Sequence, residues 1–199
     1  MCIRDSYLLF AVLTLFVFTA CEEDEAVPEE EEEMEVITDV KLVFTPTGGG
    51  AAVEAVAQDP DGEGVQDLQV LGAINLKANT EYLLSVIIEN CLEDPCEDVT
   101  EEIAEEAEEH QFFFAFTNDA FTSPAGNGNI DNASDPINYI GYDGNGNPVG
   151  LNTNWTAGNP TTAASFTVRL QHQPDVKTAT SGANDGDTDF ELQFRLTIE

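Results

Sequence analysis

Phe190-Glu191-Leu192-Gln193-Phe194-Arg195-Leu196-Thr197-Ile198 alternates an apolar with a polar side chain at every step. Side chains of an extended chain point to opposite faces in turn, so this spelling predicts a strand with one face in a core and the other in water. The same alternation recurs toward the N-terminus: Phe166, Val168 and Leu170; Phe112, Phe114 and Phe116; Tyr82, Leu84, Val86 and Ile88; Val36, Val40, Leu42 and Phe44. Shorter candidates lie at Ala52 to Ala57, Asp67 to Leu71 and Tyr139 to Tyr142. Between them stand Asp61-Gly62, Asn127-Gly128, Asp143-Gly144, Asn145-Gly146 and Asp185-Gly186, which supply the positive φ of tight turns. Seven or more short strands joined this way predict an all-β fold, either an antiparallel β-sandwich with Greek-key, Ig-like connections or a partly closed barrel.

One short acidic helix is expected to interrupt the strands, from about Asp98 to His110, with Asp98 or Thr100 as N-cap and Val99, Ile103 and Ala107 as its inward stripe. Glu101 with Glu105 and Glu102 with Glu106 place like charges one turn apart, so the helix depends on docking or on a bound cation. Ahead of the fourth stripe, Leu76-Lys77-Ala78-Asn79-Thr80-Glu81-Tyr82 resembles the tyrosine corner of fibronectin type III domains. That resemblance implies a Tyr82 hydroxyl tied back to nearby backbone. Too many strands follow for the fibronectin fold itself.

The N-terminal part reads as an address. Tyr7 to Phe18 is apolar apart from Thr14, too short for a permanent span and suited to a signal peptide. Met1 to Ser6, with one arginine beside an aspartate, departs from the basic start of such a peptide and reads as a replaced beginning. Phe18-Thr19-Ala20-Cys21 resembles the lipobox of bacterial lipoproteins, which implies that Cys21 becomes a lipidated first residue; a plain secretory signal is the alternative. The organisation expected is a signal peptide over 1–20, an acidic tether over 21–35 and one β-sandwich domain over 36–199. Glu22, Glu23, Asp24 and Glu25, next to the cysteine, resemble the surface-export signal of Bacteroidota lipoproteins. This implies an outer-membrane, lipid-anchored protein at the cell surface, and a spacer facing the periplasm is the alternative.

A formal net charge of −33 over 199 residues repels phosphate backbones and excludes nucleic acid as a partner class. The field favours cations, basic protein surfaces or neutral ligands, and the Asn-, Gly- and Asp-rich stretch from Ala120 to Pro160, around Trp155, reads as loops suited to a protein or carbohydrate partner. The membrane is met through the lipid anchor.

Cys91 and Cys96 flank a short acidic loop, and outside the cytoplasm the expectation is a local disulfide. Asp59, Asp61, Glu63 and Asp67, with Gly64 at the sixth position, match the first part of an EF-hand loop, although Val70 stands where a bidentate glutamate is needed; calcium and a bare turn are both open. Asp143, Asn145 and Asn147 repeat the oxygen spacing, with Pro148 in place of the glycine, and Asp185, Asp187 and Asp189 repeat it more weakly. A transition-metal alternative uses Glu106 and His110 at i, i+4 together with His172, and it requires the two histidines to converge; otherwise His110 is a solvated helix-end residue. No catalytic signature is present, so the expectation is a non-enzymatic protein that binds or builds, with calcium as the sole expected cofactor.

Glu101 to Phe114, Glu-Glu-Ile-Ala-Glu-Glu-Ala-Glu-Glu-His-Gln-Phe-Phe-Phe, together with Arg169-Leu170-Gln171-His172-Gln173-Pro174-Asp175, resembles a family of short, acidic Bacteroidota lipoproteins of no known activity. The resemblance covers nearly the whole chain. A label sometimes attached to such chains, type 1 periplasmic binding fold, implies two α/β lobes of a much larger protein, which the strand pattern here does not support.

Overall fold

In the computed structural model, which describes residues 35–62, 67–92 and 94–199, the strongest alternating stretches all become strands. The signal peptide, Cys21, the tether through residue 34, and Glu63 lie outside the described residues. The elements are β1 (Asp39–Pro46), β2 (Val53–Gln58), β3 (Gln69–Val70), β4 (Ala73–Leu76), β5 (Glu81–Glu89), α1 (Val99–Glu105), β6 (His110–Phe116), β7 (Phe121–Ser123), β8 (Tyr139–Tyr142), β9 (Pro148–Ala157), β10 (Thr161–His172) and β11 (Asp187–Ile198). One sheet runs β3-β2-β1-β5-β9-β7, with β8 also on β9; the other runs β4-β11-β10-β6. All pairings are antiparallel except β4 with β11. The sheets are not closed on each other. The fold is the expected sandwich rather than the barrel.

Its core is the sum of the inward phases. Phe190, Leu192, Phe194, Leu196 and Ile198 of β11 are buried, as are Val40, Leu42 and Phe44 of β1 and Phe166, Val168 and Leu170 of β10. Phe44 meets Phe166 edge-on across the sheets, with ring centroids 5.6 Å apart. Such pairs fix how the two inner faces interdigitate. The tyrosine corner is present: the Tyr82 hydroxyl accepts the Lys77 N–H at 2.9 Å. Cys91 and Cys96 are joined by a disulfide.

Three local expectations need correction. The helix ends at Glu105, so His110 is not a helix-end residue but the first residue of β6. Asp98 caps the helix by accepting the Glu101 N–H, whereas Thr100 instead brackets Ile88, its hydroxyl bonded to both the N–H and the carbonyl of that β5 residue. With so many glutamates in sequence, the helix lasts only while Val99 and Ile103 are buried, and the phenylalanine alternation then recruits His110 into the strand. Trp155 does not sit in a loop. It lies on β9 and is 1% exposed, because the polar residues of 148–157 alternate with inward ones just as in the other strands. The first strand starts at Asp39, three residues after the stripe's apparent start at Val36.

Candidate functional site

Three strand ends meet at one end of the second sheet. His172, the last residue of β10, is opposite His110 of β6 on one side and Asp187 of β11 on the other. Both histidines continue the inward phase of their strands. Directly opposed side chains on one face of an antiparallel pair stand about 5 Å apart, and here the imidazoles stack, with centroids 4.8 Å apart and planes 13° from parallel. The rings of His110 and His172 therefore meet, but by stacking, and the donor group at this end joins His110 to Glu35 and Glu106 rather than to His172. Gly186 makes the return into β11, at φ +78, and a Cβ there would lie 2.1 Å from the His172 carbonyl oxygen.

His110 is fully buried. Its Nδ1 faces the Glu106 carbonyl oxygen at 3.3 Å, which leaves Nε2 as the outward-looking nitrogen. Nε2 makes no hydrogen bond of ordinary length and is paired with Glu35 Oε1 at 3.5 Å. Glu35 precedes β1, in the segment the sequence assigns to the tether, yet its side chain is mostly covered here. His172 Nε2 lies 3.5 Å from Glu109 Oε2. Among the described residues, the donor atoms of Glu35, Glu106 and His110 lie within 4.8 Å of one another.

Asp189 completes the cluster through a β-bulge. Between Leu170 and Gln171 the β10–β11 register slips, so that Asp189 has no residue opposite it. A bulge redirects side chains that simple alternation would send outward, and Asp189 Oδ2 is buried without a hydrogen bond. Burial pushes the Asp189 carboxyl up to about 6; His110 and His172 oppose this, and Glu35 and Asp187 add to it. Burial disfavours the His110 imidazolium, but Glu35, then Asp189 and the Glu106 carbonyl, outweigh it and raise the pKa. Glu35 is lowered, first by its interaction with His110, against the effect of burial. Nearby, Glu102 is raised by burial and then by Glu97, Glu35, Glu106 and Asp98. Negative charge is crowded at this end of the sandwich.

A pH test follows from Asp189. Its folded pKa lies above the ordinary 3.8, so its ionised form costs stability above about pH 6 and the cost disappears below about pH 4. In chelator-treated protein, Asp189→Asn is expected to be more stable at pH 8 by about 1–3 kcal/mol. That advantage shrinks as the pH falls through 6 toward 4, and urea unfolding at the two pH values measures it. Equal or lower stability of the variant at pH 8 would contradict the buried charge.

The oxygen-rich turns are arranged differently. Asp59 is buried, and its Oδ1 accepts the Asp61 N–H at 3.1 Å in an Asx turn, with Gly62 following at positive φ. Asp67 is exposed ahead of β3, and Glu63 lies outside the described residues. In the second loop, Asp143 Oδ1 accepts the N–H groups of Asn145 and Asn147 at 2.9 and 2.7 Å. Its Oδ2 faces the Lys177 ammonium at 3.1 Å and the Asn147 amide at 3.3 Å. The cation that this loop holds is a lysine. Burial raises the Asp143 carboxyl, but the Asn147 N–H and Lys177 more than compensate, so it is held below the usual range.

Sequence reasoning missed Glu35, Lys177 and the inward turn of Asp189. Glu35 follows the Glu29 to Glu33 run after Met34, with nothing to single it out, and a bulge leaves no mark on alternation. The stacked pair was open to a stricter reading, since period two carried back from Phe112 reaches His110. No family model, no curated protein and no solved structure matches this chain.

Proposed function

We propose that this chain is an exported, lipid-anchored envelope protein. In this reading Cys21 carries the lipid, the acidic segment behind it is a spacer, and the β-sandwich is a non-catalytic module displayed at the outer-membrane surface. The observation that supports it best is the Cys91–Cys96 bridge. Close thiols stay reduced in the cytoplasm and oxidise outside it, so a disulfide agrees with a chain that carries a lipobox-like cysteine behind an apolar leader. Surface display draws on the acidic residues after Cys21. Binding of a protein or carbohydrate partner draws on the polar loops beside β8, where Tyr142 and Ile140 are exposed amid asparagines and glycines.

A second reading, a small metal-handling envelope protein, is favoured by the meeting of His110 and His172 around a buried imidazole. The first reading is tested by metabolic labelling with an alkyne palmitate analogue and by fractionation of Cys21→Ser. Labelled wild-type protein in the membrane fraction and an unlabelled, membrane-released variant are expected. An unlabelled wild type that fractionates as the variant does would end the lipoprotein reading.

A further inference from the structure

We propose that Glu35, Glu106 and His110 form a binding site for a divalent first-row transition-metal ion, with His110 Nε2 as its nitrogen ligand. The proposal rests on the metal-handling reading and deepens it by naming the donors, one of which, Glu35, comes from outside the sequence-based set of Glu106, His110 and His172.

Three observations carry it. First, Nε2 belongs to a fully buried ring, and its recorded partner is the Glu35 carboxylate at 3.5 Å, beyond ordinary hydrogen-bond length. Second, Nδ1 faces a backbone carbonyl, that of Glu106. Metal-binding histidines commonly anchor their other nitrogen this way, because it fixes the tautomer and aims the free lone pair. Third, the distances are within reach of an ion. Bonds of about 2.0–2.2 Å to nitrogen and oxygen place neighbouring ligand atoms of a tetrahedral site about 3.3–3.5 Å apart. Nε2 and Glu35 Oε1 stand 3.5 Å apart, and the donor atoms of Glu35, Glu106 and His110 all lie within 4.8 Å of one another, with Glu106 exposed.

The donor set selects the class of ion. One imidazole with carboxylates suits zinc and its divalent neighbours, whereas calcium prefers six to eight oxygens and cuprous copper prefers sulfur. His172, stacked on the outer face of His110, holds the ring in place rather than supplying a donor. Three protein ligands leave room for a water or another exogenous group.

The test uses the full chain, purified in detergent and stripped with chelator. Zinc is titrated calorimetrically, and the ring nitrogens of His110 are followed by NMR in the same protein. One ion per chain is expected, with a large shift of His110 Nε2, no displacement by about tenfold excess calcium, and affinity reduced at least about tenfold in Glu35→Gln and in Glu106→Gln. Both substitutions spare the core, so matched unfolding curves separate lost binding from lost fold. Absence of binding, an unshifted His110, or zinc held equally well by both variants, as by the glutamates of 22–33, would overturn the proposal. Palmitate labelling is indifferent to all of these outcomes, so failure of the metal site and failure of the lipoprotein reading remain distinct results.

Discussion

Lys177→Met is expected to lower the free energy of unfolding by about 3–5 kcal/mol, because it strands a buried carboxylate. The Lys177 side chain is 1% exposed and that of Asp143 is 0% exposed. Besides Asp143, the ammonium donates to the carbonyls of Ala107 and His110, so three acceptors surround its three N–H groups. Burial depresses the Lys177 pKa and Asp143 counters this, while Lys177 helps hold the Asp143 carboxyl low. Methionine matches the length of the stem but removes every one of these bonds. Asp143→Asn destabilises for the complementary reason. The double variant loses less than the sum of the two, since each single change leaves the other's charge exposed to the same penalty. Urea unfolding of the four proteins reads the coupling, and additive losses would mean that the charges do not depend on each other. Because the His110 carbonyl is among the acceptors, Lys177 also ties the segment after α1 to the start of β6.

Trp155→Ala carries a comparable cost, about 3–5 kcal/mol. The indole is the hub of an aromatic cluster, with Phe121 at 4.7 Å, Phe166 at 5.1 Å, Phe114 at 5.6 Å and Phe116 at 5.8 Å between ring centroids. Its N–H donates to the buried Thr153 hydroxyl at 2.7 Å. Alanine opens a cavity in the centre of the sandwich and leaves Thr153 without that donor, whereas Trp155→Phe keeps much of the packing and costs less. Near-UV circular dichroism and urea unfolding measure both variants. A loss below about 1 kcal/mol for alanine would place Trp155 outside the core.

The frame of this protein was legible because period-two alternation survives any topology. Phe190 to Ile198 spells its own strand and inner face without reference to a neighbour. Pairing was less legible. Nothing in Ala73–Leu76 announces a parallel partner in β11, and the sequence places no limit on which strands of 120–160 join the sheet. Trp155 was misread for that reason, since asparagine and glycine made β9 look like a loop. The site was legible in part. The sequence offers His110 and His172 as candidates, and the β6–β10 register sets their rings face to face. Glu35 was hidden in a glutamate run whose composition suits a tether, and its role depends on where the chain enters the sandwich. Asp189 was hidden by the bulge. Lys177 shows the opposite case: an oxygen-rich loop that resembles a calcium site is completed by an ammonium some thirty residues later.

The most direct measurement of the central claim is an anomalous difference map from crystals of this protein soaked in zinc and recorded on both sides of the zinc absorption edge. A peak within bonding distance of His110 Nε2 and of the Glu35 and Glu106 carboxylates is the expected result. A peak at the Asp59–Asp61 turn instead, or density around His110 with no anomalous signal, would contradict it.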